Sequence, residues 1–312
     1  MKRRNKNIFK IIGVYFLLGL MGPNVYAQES KLYIITDSIN ESLIISRSKD
    51  TSDSILTQVV KAGIRPYIHP IAAPDGDGVL TEYGPGHHLH QTGLYWGLKR
   101  VNERDYFMNW KETYWKKESS TILEGSGTIV RWQTKYGLLN EKGEVILEEV
   151  QQWSMEEREG SFILDLEWQG SARVDVTMGE FYVGGLFLRM PWKNGYKAEI
   201  VNSDGKKNLE AEAQRAIWAD VGIQVPGRKD LAHVAMMDHP DNRAFPTPWR
   251  VDSQFGLGPS IQILGDWKIP KGSTETIKYR LLIYTGGQDK DLIARTWKEF
   301  VCEDGKGTNS GE

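Results

Sequence analysis

Residues 163–168, Ile163-Leu164-Asp165-Leu166-Glu167-Trp168, decide the fold. From Leu164 on, their alternation of apolar and polar side chains is the period of a half-buried strand, because successive Cβ atoms point to opposite faces of a sheet. Working outward, residues 121–136 and 145–155 repeat that pattern. Turns are expected at 137–143 and 156–160, so 121–168 reads as a meander. Residues 174–187 continue it through Gly179, Gly184 and Gly185, which predict a bulge or a close approach of backbone to another group. Short strands precede the meander at 32–36, 43–46, 55–60 and 65–71. Pro66 and Pro70 predict that the last is an edge or irregular strand. Strands follow at 217–225, 232–237, 260–264 and 276–285. Only residues 288–301 have a helical apolar face, formed by Leu292, Ile293, Thr296, Trp297 and Phe300. The pattern predicts an all-β chain, a large antiparallel β-sandwich with one C-terminal helix. It excludes folds that alternate strand with long helix.

Lys2, Arg3, Arg4 and Lys6 precede an apolar run of about 14 residues, and Val25-Tyr26-Ala27 has the small residues a signal peptidase reads. The run is shorter than the roughly 20 residues a membrane span needs. The expectation is a signal peptide at 1–27, one β-sandwich domain at 28–301 and a disordered tail at 302–312. The protein would then be secreted or periplasmic, with no membrane span after cleavage. The 39 basic and 41 acidic side chains nearly cancel, which points away from nucleic acid as a partner. Cys302 is the one cysteine, so no intrachain disulfide forms.

Four of the six histidines, His69, His87, His88 and His90, lie within 22 residues, and His233 and His239 sit together later in the chain. In an extended strand His88 and His90 would share a face, a spacing that suits acid–base catalysis or metal ligation. A divalent cation is the one cofactor left open, with His88 and His90 as its ligands. Asp238 and His239 follow an apolar strand and read either as an acid–base pair or, with Asp241 and Asn242, as turn chemistry. Arg65 offers a rigid fork for a carboxylate or a sugar hydroxyl. Trp96, Trp110 and Trp249, among eleven tryptophans, read either as core or as sugar-stacking walls. Glu180 and Asp220, in apolar or glycine-rich segments, read as general acids or as structural ion pairs. No GxSxG, HExxH or glycine-rich phosphate loop is present.

The run RPYIHP at 65–70, the PDG turn at 74–76 and His88-Leu89-His90-Gln91-Thr92-Gly93-Leu94-Tyr95-Trp96-Gly97 together resemble the secreted bacterial family labelled PmoA-like. The later Asp238-His239-Pro240-Asp241-Asn242, with Pro248-Trp249, resembles that family's second motif. Gln91 and Thr92 depart from its pattern, standing where it has a histidine and an arginine. The resemblance implies a carbohydrate role. The methane oxygenation in the label does not carry over, because the processed chain has no apolar segment able to cross a bilayer.

The expectation is therefore an exported carbohydrate-active enzyme on a sandwich of the galactose-mutarotase-like kind. It would cleave glycosidic bonds or isomerise sugars. His69, His88, His90, Asp238 and His239 would form one catalytic pocket, and Arg65, Trp96, Asn242 and Trp249 would bind a carbohydrate or another small-molecule substrate. Two alternatives stand beside it, a non-catalytic glycan-binding protein and a metal-dependent oxygenase or hydrolase.

Overall fold

The computed structural model describes residues 31–86, 88–109 and 111–303. The expected signal segment, His87, Trp110 and residues 304–312 lie outside the described residues. Strand Ser161–Ala172 contains the alternating stretch and is central to an eight-stranded antiparallel sheet. It pairs along its length with Val145–Arg158 on one side and Thr274–Gly286 on the other. Phe162, Leu164, Leu166 and Trp168 enter the main core, and Ile163 faces the other way, into a smaller cluster. The hairpin before this strand is tighter than expected. Glu159 and Gly160 both have positive φ, 53° and 72°, as a two-residue turn requires, so the preceding strand runs on to Arg158.

A nine-stranded antiparallel sheet faces the first one. Its strands include Tyr67–Ile71, Leu94–Gly97, Gly185–Leu188, Trp249–Val251 and Leu257–Pro259. Ile68, Leu94, Trp96, Leu186 and Leu188 point inward to meet the opposing sheet. The Trp96 ring stacks on Trp168 across the interface at 4.6 Å between centroids and 15° between planes. The proline-rich strand is not an edge. Tyr67–Ile71 pairs on both sides, with Ser54–Val59 and with Leu94–Gly97, and it is irregular as expected, its register slipping between Leu56 and Gln58, opposite Pro70. That slip accommodates a residue that cannot donate to a ladder. Gly184 meets its predicted close approach, because a Cβ there would overlap the buried side chain of Gln262.

Most of the tryptophans are core. Trp96, Trp115, Trp132, Trp153, Trp168, Trp249 and Trp267 are all fully buried. An indole N–H buried without an acceptor is costly, and this explains several buried polar side chains. Trp168 donates to Glu149, Trp153 to Gln151 and Trp132 to Gln58. Burial pushes the Glu149 carboxyl up to about 7, against the lowering effect of its hydrogen bonds from Trp168 and Gln151. Trp96 and Trp249 are therefore not sugar-facing walls. Neither ring reaches solvent, and Trp249 donates to the Ala216 carbonyl at 2.8 Å.

The helix runs Lys290–Glu303, so Cys302 and Glu303 belong to it and not to a tail. Asp289 accepts the Leu292 N–H at its start. Ile293 and Phe300 pack on Ala235, Met237 and Leu282, on the outer face of the eight-stranded sheet. Among the described residues no helix is long and apolar enough to cross a membrane.

Trp96→Ala is expected to lower unfolding free energy in a urea titration by about 3–5 kcal/mol, the range for emptying a large core site. A loss below about 1 kcal/mol would contradict the buried stack.

Candidate functional site

The outer face of the nine-stranded sheet carries its own aromatic cluster. Tyr67, Tyr95 and Phe187 alternate with the inward residues of their strands, so they emerge on this side. Phe107, from the loop after Leu94–Gly97, completes a floor with ring centroids 5.4 Å from Tyr95 and 5.6 Å from Phe187. Above it lies a cleft of about 150 Å³ lined by His88, His90, Gln91, Lys99, Arg250 and Asp252 as its polar groups. Met108, Tyr182 and Val183 add apolar wall.

The histidines reach this cleft from a turn, not from the strand that their spacing predicts. His88 N–H donates to the Pro85 carbonyl, Gln91 N–H to the His88 carbonyl and Gly84 N–H to the Gln91 carbonyl. The two rings still converge, 5.8 Å apart and nearly perpendicular. His90 also lies 6.0 Å from Phe107. Partial burial, then the charges of Arg65, His88 and Lys99, lower the His90 pKa to about 4, so its ring is neutral at pH 7.

Arg65 holds this turn in place. It is fully buried, and its guanidinium lies 3.7 Å over the Tyr95 ring. It donates to the Phe107 carbonyl at 2.6 Å and the His90 carbonyl at 2.8 Å, with a longer contact to Thr92 Oγ1. Gly97 makes room for it, since a Cβ there would sit 3.0 Å from Nη1 and 2.9 Å from the Phe107 ring. The substrate-binding role expected for Arg65 is corrected accordingly. A buried fork already engaged by backbone carbonyls positions the cleft and does not touch a ligand. Burial lowers its pKa to about 10, which leaves it charged at neutral pH.

The remaining charges of the cleft are each tied down. Lys99 Nζ lies 2.5 Å from Asp105. Arg250 pairs with Glu212 at 2.5 Å and lies 4.9 Å over Tyr182. Asp252 accepts N–H groups from Gln254 and Gly256 and faces Arg189 at 3.6 Å. Gln91 is 5% exposed, and its Oε1 has no hydrogen-bond partner among the described residues. That oxygen is sealed from solvent, so the residue lines the cleft without presenting its acceptor to it.

His69 sits on the same face but does not line the cleft. Its Nδ1 lies 2.9 Å from Thr81 Oγ1, its ring is 5.9 Å from Tyr83, and burial lowers its pKa. The second motif does not join the first. Asp238 is buried and accepts hydrogen bonds from Asn242 Nδ2, Thr247 N–H and His239 N–H. Asn242 also bridges the backbone of Lys278 in both directions. His239, 2% exposed, packs against Phe300 of the helix at 4.9 Å and accepts the Asp241 N–H. That helix covers the outer face of the opposite sheet, so two sheets, about 10 Å apart, separate His239 from His88 and His90. The turn-chemistry reading holds for this motif.

Glu180 is exposed. Asp220 is buried and accepts from Tyr284 and Gln288, with His233 Nδ1 at 3.0 Å, in a cluster on the helix side. Among the described residues no three His, Cys, Asp or Glu side chains converge as a metal site. Gln91, Lys99, Arg250 and Asp252 are the cleft residues that sequence reading missed. Arg250 carried a signal in its place next to Trp249 and Gln91 one in its place within the histidine motif; Lys99 and Asp252 carried none.

The chain belongs to a family of unknown function, DUF6807, whose model matches residues 57–298. No curated protein matches the sequence. Among solved structures, the GH36 α-galactosidase AgaB from Geobacillus stearothermophilus is 9% identical with a TM-score of 0.45, over 82% of this chain and 41% of its own. The chain thus spans about two fifths of that enzyme. A galactose mutarotase-related enzyme from Lactobacillus acidophilus is 8% identical with a TM-score of 0.31, over 83% of this chain and 99% of its own. A galactose mutarotase-like protein from Lactobacillus casei is 7% identical with a TM-score of 0.37, over 81% and 100%.

Arg65→Lys is expected to destabilise the protein by about 2–4 kcal/mol, because a lysine cannot serve both carbonyls from one planar fork. Thermal unfolding checks the size of the loss. Amide exchange should show faster opening of residues 84–92, and unchanged protection there would reject the clamp.

Proposed function

We propose that this is a carbohydrate-active enzyme that moves a proton on a sugar in the His88–His90 cleft, in the course of glycosidic-bond cleavage or sugar isomerisation. One observation carries the reading: two imidazoles meet above an aromatic floor, and one of them is held neutral. A neutral imidazole accepts a proton from a hydroxyl or an activated C–H, and a second one within reach supplies or relays it. The exposed Met108 and Tyr182, over the edges of Phe107 and Phe187, give the C–H groups of a sugar an apolar wall, and Asp252 offers an acceptor to its hydroxyls. The motif resemblance at residues 65–97 supports the same substrate class. Export through a signal peptide at 1–27 belongs to this proposal. So does reduction of the catalytic set to His88 and His90, without His69, Asp238 or His239.

The test is incubation with mono- and oligosaccharides of neutral and acidic sugars, with products read by mass spectrometry and NMR. His88→Ala and His90→Ala are each expected to lower kcat by at least about 100-fold, the scale of a lost acid or base. Both rings are partly exposed, so melting temperature should change little. His239→Ala should do the reverse, costing stability while keeping turnover. Full turnover in both cleft variants would reject the catalytic assignment and favour a glycan-binding protein.

Turnover should fall as pH drops through about 4, where His90 takes up a proton. Because its folded pKa lies below its unfolded value of 6.5, the native state binds fewer protons in between. The stability linked to His90 is therefore present above pH 6.5 and lost as pH falls toward 4. His90→Gln should flatten that part of the stability profile, and an unchanged slope would mean another group is responsible.

A further inference from the structure

We infer that the cleft beside the Val101–Arg104 hairpin is a second sugar subsite, which takes the next units of an oligosaccharide whose reacting end lies between His88 and His90. This rests on the carbohydrate reading above and adds chain length to it. The second cleft, at about 630 Å³, is larger than the first. One segment of chain separates them. Phe107 and Met108 line the first, and Asp105 and Asn109 line the second. Asp105 also holds Lys99, which faces the first cleft.

The lining suits hydroxyl groups. The flat Arg104 guanidinium lies 3.9 Å over the Tyr114 ring and donates to the Thr113 carbonyl. Its Nε is buried with no partner among the described residues. Glu103 and Glu141 supply acceptors and Lys142 supplies a donor. With Asp105 paired to Lys99, the two remaining carboxylates balance the two remaining cations. The cleft therefore fits a neutral, hydroxyl-rich ligand better than an ionic one.

The backbone gives an independent sign. Val101 and Arg104 exchange two hydrogen bonds, at 2.7 and 3.0 Å, around a two-residue turn. Both turn residues are left-handed, Asn102 at φ 46° and Glu103 at φ 68°. Asparagine tolerates that conformation; glutamate does not favour it, and glycine would be free there. Asn102 pins the turn by accepting the Thr177 N–H and donating to the Asp175 carbonyl. The turn thus keeps an exposed glutamate on the cleft rim against its backbone preference. Such strain concentrates at ligand clamps.

Glu103→Gly separates the two roles of this residue. Wild-type protein and the variant would be compared on a glycan array of mono- to hexasaccharides of glucose, galactose, xylose and rhamnose. Calorimetric titration of the best series would follow. In the wild type, affinity is expected to rise at least 10-fold from the monosaccharide to the tetrasaccharide. Glu103→Gly should raise the melting temperature, leave monosaccharide binding and turnover unchanged, and lose most of that gain. Monosaccharide binding with no gain on lengthening, or a gain that survives in Glu103→Gly, would overturn the second subsite and leave the enzyme reading standing. Retention of no glycan by the wild type would overturn both.

Discussion

The Arg65 guanidinium is the contact on which the cleft depends. It is a full charge with no solvent and no carboxylate bonded to it, held by fixed dipoles and an aromatic face while Glu149 and Asp105 attract it from farther off. Two backbone carbonyls, a hydroxyl and the face of Tyr95 take the place of water. Those carbonyls belong to His90 and Phe107, one a histidine of the cleft and the other the floor beneath it. Fold stability and site geometry are thereby the same interaction, seen from two sides. Gly97 and Thr92 are explained by it as well, one by the space the guanidinium needs and the other by a weaker polar contact.

Much of the fold was legible because sheet packing writes its period into the chain. The alternation from Leu164 to Trp168 marked the strand, its inward face and its half-buried outer side, and all three are as the pattern requires. The helix was legible for a similar reason, through Ile293, Thr296 and Phe300 at helical spacing. Errors arose where tertiary context overrides local rules. Of the edge or irregular strand that Pro66 and Pro70 argued for, only the edge fails: the strand is paired on both sides, with a register slip opposite Pro70. Gly137 looked like a turn but lies within strand Ile129–Leu139, packed under Val145.

The candidate site was legible only in part, and the reason is physical. Two histidine clusters in sequence need not be two halves of one pocket in space. His88 and His90 stand on one outer face of the sandwich and His239 on the other, and strand alternation contains no information about which face a distant loop will join. Nor does the chemistry of Asp238 and Asn242 distinguish catalysis from bracing, because a buried carboxylate accepting three N–H donors looks the same on paper as a general base. Gln91 illustrates the opposite error. As a departure from a motif it read as a loss, whereas it still lines the cleft between the histidine turn and the sheet.

The tryptophan core has a consequence for watching this protein at work. Trp168 shares a hydrogen bond with Glu149 and a stacked face with Trp96, while Trp153 reaches the same carboxylate through Gln151. Two indole N–H groups thus lead to one carboxyl that burial raises to about 7. Indole emission responds to charge at its ring nitrogen, so a pH titration of intrinsic fluorescence reads the interior at Glu149 and not the surface where most titrations occur.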